Sequence, residues 1–222
     1  MSSRSLRAVA PTIAGLVILV TLAGCVTGKR PTLGAKVDSS KPISQQALNI
    51  EAVDAVLVPL ESSESLTYTA KYTITPTTGT TEVEAVVSQQ PGQRSVTIGD
   101  IRFLHGATDV TCNLTKKVCE PGMLDQRVSN IPGASSTFDR GSPAAKMRIT
   151  APLRKTTLYA SKEAFELQVT TCVNFPNGKA ADTYCIVPTG QLARVERTEA
   201  NIVLTSLSPE PNPALFERGD GA

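Results

Sequence analysis

The chain has 222 residues, with 22 Lys and Arg against 20 Asp and Glu and a formal net charge of +2. So balanced a chain lacks the general electrostatic pull that nucleic-acid binding requires, and nucleic acid is set aside as a partner. One His, no Trp and 4% aromatic residues leave few imidazole ligands and few large space fillers for a core.

Arg4 and Arg7 are the only charges before Lys29, and an apolar stretch from Ala8 to Val20 follows them. This is the order of a secretory signal. A spanning helix needs roughly 20 mostly apolar residues. The strongest run here, Ile13 to Ala23, is about half that and follows Pro11, so a permanent anchor is the weaker reading. Leu22-Ala23-Gly24-Cys25 ends the run and resembles the lipobox of bacterial lipoproteins. The resemblance implies a signal peptide of residues 1–24, cleavage before Cys25, diacylglycerol on its sulfur, and a domain held at the extracytoplasmic face of a cell membrane. An ordinary signal peptide or a short uncleaved anchor would export the same domain. Cleavage removes Arg4 and Arg7 and no acid, so 22 basic residues become 20 against 20 and the remaining chain is neutral.

Residues 25–43 carry that cysteine and a Gly-, Pro-, Lys-, Thr- and Ser-rich stretch without periodicity, the composition of a flexible tether. From Ser44 to Leu60, Ala47, Ile50, Val53, Val56, Leu57 and Leu60 recur every three or four positions, which predicts an amphipathic helix. Ser44 suits its N-cap, and Pro59 marks its end. Leu66, Tyr68, Ala70, Tyr72 and Ile74 then alternate with Thr67, Thr69, Lys71, Thr73 and Thr75, the period of a half-buried strand. Similar runs recur at Thr81–Ser88, Arg94–Ile98, Ile101–Leu104, Asp109–Asn113, Thr156–Ala160, Ala164–Asn174, Thr183–Val187, Gln191–Glu196 and Ile202–Leu207. Short turns such as Pro91-Gly92 and Gly99-Asp100 between them predict an antiparallel meander. Between Glu120 and Leu153, scattered Pro and Gly predict long loops, with Pro143 opening a short helix through Ile149. Three prolines and a Gly-Asp-Gly end make residues 209–222 read as a mobile tail. A single domain over residues 44–208 follows.

Cys112, Cys119, Cys172 and Cys185 make an even set in a chain that leaves the reducing cytosol, so disulfides are expected. Three connectivities exist. The local one is favoured, because each pair flanks a short turn-like segment, Asn113–Val118 and Val173–Tyr184. The spacing does not suit a metal centre or a redox CxxC, and no metal or cofactor is expected.

No catalytic constellation emerges, so the chain reads as non-enzymatic. His105 stands in the turn Leu104-His105-Gly106, without a nucleophile elbow anywhere in the sequence. Glu82 and Glu84 share one face of a strand, where solvated carboxylates are common.

The order of lipobox, tether, amphipathic helix, the strand Ser65-Leu66-Thr67-Tyr68-Thr69-Ala70-Lys71-Tyr72 and a late Tyr184-Cys185 resembles the actinobacterial envelope lipoproteins related in fold to the LppX/LprG and LolA/LolB lipid and lipoprotein carriers. The resemblance covers roughly residues 44–207. It implies an α+β, mostly β fold: a curved antiparallel sheet, or half-barrel, with an N-terminal amphipathic helix and short helices over the concave face. It also implies a lipid or lipoglycan ligand between the two, with Ile50, Val53 and Leu57 on the helix and Leu66, Tyr68, Tyr72 and Ile74 on the first strand as candidate cavity walls. The same seven residues equally suit an ordinary helix-on-sheet core. The alternative function is an interaction or sensor module that binds an envelope protein, as RseB-like proteins of related fold do. The two internal cysteine pairs depart from the carriers' pattern.

Overall fold

The computed structural model describes residues 44–79, 81–138, 142–166, 168–177 and 180–219. The signal segment 1–24, with Leu22, Ala23, Gly24 and the lipidation residue Cys25, and the tether through residue 43 lie outside the described residues.

The fold is mostly β. Eleven strands form one antiparallel sheet: β1 Tyr68–Pro76, β2 Val83–Gln90, β3 Gln93–Ile98, β4 Ile101–His105, β5 Val110–Asn113, β6 Val118–Pro121, β7 Ala160–Phe165, β8 Gln168–Asn177, β9 Ala180–Ile186, β10 Leu192–Glu196 and β11 Ala200–Ser208. The strand order is β6-β5-β4-β3-β2-β1-β11-β10-β9-β8-β7. Two meanders are thus joined where the first strand pairs with the last, and the sheet stays open at β6 and β7. Among the described residues three α-helices accompany the sheet: α1 Gln45–Ser62, α2 Ala134–Phe138 and α3 Ser142–Thr150.

Alternation along β1 decides which face is covered. Tyr68, Ala70, Tyr72 and Ile74 are buried, whereas Thr69, Lys71, Thr73 and Thr75 are not. Register carries this inner face across the sheet through Ala85 and Val87, Val96 and Ile98, and Ile101 and Phe103 on one side. On the other it passes through Ile202, Val195, Tyr184 and Val173. Each large aliphatic or aromatic side chain buried there contributes about 1.5–3 kcal/mol over exposure. Val53, Val56 and Leu57 bury the inner stripe of α1 in the same core.

The Ser44 hydroxyl accepts from the Ala47 amide at 3.2 Å and caps α1 as its sequence predicts. Pro59, expected at the helix end, instead lies inside the last turn, and the helix runs on to Ser62. Two buried amide side chains hold this helix in place. Asn49 donates to the carbonyls of Ala151, Arg154 and Thr156 at 3.2–3.3 Å and accepts from the Leu158 amide at 2.7 Å. Gln89 donates to the carbonyls of Ser63, Glu64 and Leu66 at 2.8–3.1 Å and so clasps the connector from α1 to β1.

Three segments differ from their sequence-based reading. Thr156–Ala160 forms no strand up to Tyr159, because Asn49 takes its backbone groups. The run Ala164–Asn174 divides into the end of β7 and most of β8 around a turn in which Glu166 has φ +50, a left-handed position with no Gly to announce it. The third is β6, four residues long, which pairs with β5 and runs two residues into the stretch from Glu120 expected as loop.

The proline-rich segment after Ser208, expected as a mobile tail, crosses the outer face of the sheet as far as Gly219. The Thr69 hydroxyl donates to the Glu210 carbonyl at 2.8 Å, and the Asn212 amide donates to the Ser88 hydroxyl at 2.9 Å. Arg102 donates to the carbonyls of Ala214 and Glu217 at 3.2 and 2.9 Å.

The disulfides are local, Cys112–Cys119 and Cys172–Cys185. Each joins directly opposed residues of neighbouring strands, the first across β5 and β6 and the second across β8 and β9. The first staples the edge strand β6 to the sheet, and the second lies one strand in from the other edge, β7.

Candidate functional site

The sequence pattern puts an arginine where an apolar residue belongs. In β3, Arg94 shares the inner face with Val96 and Ile98, and its cross-strand neighbours are Gln89 and His105. A long cation on that face must find acceptors under the helices. Its Nη1 donates to Gln89 Oε1 at 2.9 Å and lies 3.5 Å from Tyr68 Oη, and its Nη2 lies 3.5 Å from the Phe138 carbonyl. Gln89 thus does two jobs, holding the α1–β1 connector with its amide and aiming Arg94 with its carbonyl.

Arg94 lines a pocket between the inner face of β1–β3, the end of α1 and the α2–α3 segment. Its apolar walls are Leu60, Tyr68, Tyr72, Val87, Phe138 and Leu192. Phe138 closes it from above, edge-on to Tyr72 with ring centroids 5.1 Å apart. Two polar atoms on its lining residues, Arg94 Nε and Thr137 Oγ1, are buried without a hydrogen-bond partner among the described residues. Buried polar atoms are rarely left so, and ordered water or a ligand group is the usual partner. The pocket as a whole has about 40 Å³ where a water centre fits, room for roughly three waters. Burial pushes the Tyr72 hydroxyl well above the ordinary tyrosine range, with Tyr68 adding to the effect and Arg94 opposing it. Tyr72 is therefore a neutral wall residue at physiological pH.

The seven residues expected to form cavity walls separate into three groups. Tyr68 and Tyr72 line the pocket. Val53, Leu57 and Ile74 are buried in the core at 0–2% exposure. Ile50 and Leu66 are 41% and 39% exposed. Sequence reasoning passed over Arg94, Gln89 and Thr137. The first carried a signal, since a polar residue at the inward phase of an alternating strand marks either a bulge or a satisfied polar site.

Other chemistry-bearing groups are engaged elsewhere. His105 Nδ1 lies 3.5 Å from Asp109 Oδ1. The Glu82 carboxylate accepts from the Thr75 hydroxyl at 3.1 Å. Glu163, Cys172 and Cys185 stand within 4.8 Å of one another. Both sulfurs are consumed in the disulfide and Glu163 is paired with Arg194, so this cluster presents no thiolate ligand. At the other end of the inner face, Arg197 donates to the Tyr184 hydroxyl at 3.0 Å and stacks over its ring at 5.4 Å.

No known protein family and no curated protein matches the sequence. Among solved structures, a LolA superfamily protein from Nitrosomonas europaea is similar at 10% identity with a TM-score of 0.33, over 73% of this chain and 97% of that one.

Proposed function

We propose that the chain is a non-enzymatic lipoprotein of the bacterial cell envelope, anchored through Cys25, that binds a hydrophobic ligand of the lipid or lipoglycan class between its helices and the inner face of its sheet. The observation that carries this reading is the pocket under Phe138: aromatic and aliphatic walls around one arginine, with a buried hydroxyl and a guanidinium nitrogen that have no hydrogen-bond partner among the described residues. Such a lining suits an amphiphile, whose chain takes the apolar walls and whose polar end takes Arg94 and Thr137. About 40 Å³ does not admit an acyl chain. Uptake therefore requires Phe138 to leave Tyr72, and each CH₂ buried in its place gains about 0.8 kcal/mol.

A second reading is an interaction module that touches an envelope protein through a sheet edge. Its supporting observation is β7, which has no strand on its outer side among the described residues and exposes Ala160, Lys162 and Ala164 along it.

The test is native mass spectrometry of the chain from Val26 onward, exported and purified in mild conditions, followed by organic extraction. A discrete added mass that extracts as lipid is the expected result. A bare protein mass that persists after incubation with host envelope lipids overturns ligand binding and favours the edge-docking module.

A further inference from the structure

Of the eight large apolar side chains exposed among the described residues, four belong to the first half of α1 and the α3-to-β7 segment tied to it, whereas Val58, Leu66, Val118 and Val169 stand apart from them. Ile149, Leu153 and Tyr159 are 68%, 76% and 71% exposed, and Ile50 is 41% exposed. Ile149 stands in the last turn of α3, and Leu153 closes the 3-10 turn that follows it directly. Asn49 ties the backbone of residues 151–158 to α1 right beside Ile50. Ile50 and Pro152 line a single groove there, together with Arg148. Gln45, the first residue of α1, donates to the Lys155 carbonyl in the same place. Three cations, Lys146, Arg154 and Lys155, belong to this stretch. A fourth, Arg148, is paired with two carboxylates, Asp54 and Glu61, so three cations stand against one surplus acid.

We propose that this patch is a membrane-docking surface, in which Ile149, Leu153 and Tyr159 enter the headgroup boundary of a bilayer and Lys146, Arg154 and Lys155 meet anionic phospholipid headgroups. Two observations select a bilayer as the occupant. The first is charge, since exposed apolar knuckles among cations match an anionic interface. The second is position: the 18 residues between Cys25 and Ser44 enter the domain at Gln45, beside the patch. A chain of that length spans at most about 60 Å, so lipid on Cys25 would hold this end of the domain near the surface at high effective concentration. To that extent the inference rests on the lipoprotein reading, although the patch itself does not.

The consequence is orientation. The lipid on Cys25 supplies attachment, and the patch selects which end of the domain faces the bilayer. The Arg94 pocket adjoins Leu60 and Ser63, at the opposite end of the 18-residue α1. Ile50 of the patch and Leu60 of the pocket stand ten residues apart on α1, about 15 Å along its axis, which sets the spacing between the two along that helix.

The experiment uses the chain from Val26, which keeps every strand and the whole core, without lipid. It is floated with vesicles of phosphatidylcholine alone and of an equal mixture with phosphatidylglycerol. Binding is expected to the mixed vesicles and to weaken in high salt. Ile149→Asp with Leu153→Asp lowers the partition coefficient about tenfold or more. Lys155→Glu lowers it about fivefold or more on the mixed vesicles alone. Val118→Asp, at an exposed site on β6, leaves it unchanged. No binding to either vesicle, or equal binding by the double variant with its fold intact by circular dichroism, overturns the proposal. A dimer in sedimentation velocity that the double variant dissociates would reassign the patch to a second copy. The anchor is read separately from the mass of the N-terminal peptide of the full chain made in a bacterial host. Unlipidated Cys25 with vesicle binding intact would remove the anchor and leave the docking surface.

Discussion

Gly190 backs onto the carbonyl of Pro59 so closely that a Cβ at that position would lie 2.0 Å from the oxygen. The turn between β9 and β10 is thereby seated on the last turn of α1, with Gly190 at φ +93. Only glycine meets both demands, since a side chain is strained at that φ and has no space to occupy. Gly190→Ala is expected to lower stability by about 3 kcal/mol or more, the sum of left-handed strain and overpacking. Urea titration reads this as a lower midpoint at unchanged slope.

Asn49 is fully buried and satisfies four backbone groups of residues 151–158. Asn49→Leu keeps the volume and removes every one of those bonds, leaving the Leu158 amide and several carbonyls unpaired. The expected cost is about 3 kcal/mol, with faster amide exchange at Leu158 as the local signature.

The two cross-strand disulfides close loops of similar, short length, and chain entropy assigns about 2.5 kcal/mol to Cys112–Cys119 and about 3 kcal/mol to Cys172–Cys185. Paired Ala substitutions are expected to cost these amounts in separate titrations. Loss of Cys112–Cys119 should also raise exchange in β6, a four-residue edge strand with a single neighbour.

These elements also show how far the sequence could be read. Most strands follow from alternation because one face of the sheet is buried and the other is not, and α1 follows from its apolar spacing and Ser44. Local cysteine pairing follows from the turns that the cysteines flank. The turn at Glu166 stays hidden because a residue other than Gly takes the left-handed position, and β6 because four residues carry no period. Thr156–Ala160 has the right residues for a strand, yet Asn49, more than a hundred positions away, claims its backbone. The tail reads as mobile by composition, whereas its carbonyls and amides are met by Thr69, Ser88 and Arg102 on three different strands. In the candidate site, Tyr68 and Tyr72 were legible as inward aromatics. Arg94 was visible as a polar residue at the inward phase of an expected strand, Gln89 lay one residue past the expected end of its strand at Ser88, and Thr137 left no periodic signal at all.

Arg148 bridges α3 to α1 through Glu61 and Asp54. Its hydrogen bond, outweighing a small desolvation effect and aided by its charge, holds the Glu61 carboxyl below its usual 4.5. A lowered folded value means stability that is present above 4.5 and lost as pH falls through the folded value. Both side chains are more than a third exposed, so the contribution is under about 1 kcal/mol and screened by salt. Arg148→Gln is therefore expected to be slightly less stable than the parent at neutral pH, and the gap should close below pH 4.5 or in high salt.

Alkali tests the inner face more severely. Tyr72 is 4% exposed and burial raises its hydroxyl far above 10, and Tyr184 is raised by burial too, with Arg197 opposing. A raised folded value favours the neutral form in the fold, so the contribution is whole below the unfolded value of 10 and is lost as pH rises beyond it. Above pH 10 the unfolded chain releases a proton that folded Tyr72 keeps, and stability should fall by about 1.4 kcal/mol per pH unit from this residue. Tyr72→Phe retains the ring against Phe138 and has no proton to lose. Its stability, measured by denaturant titration from pH 9 to 11, is expected to decline less steeply than the parent's by about that slope above pH 10. Parallel curves would mean that the Tyr72 hydroxyl ionises in the folded protein as readily as in the unfolded chain, and that the pocket wall is open to water.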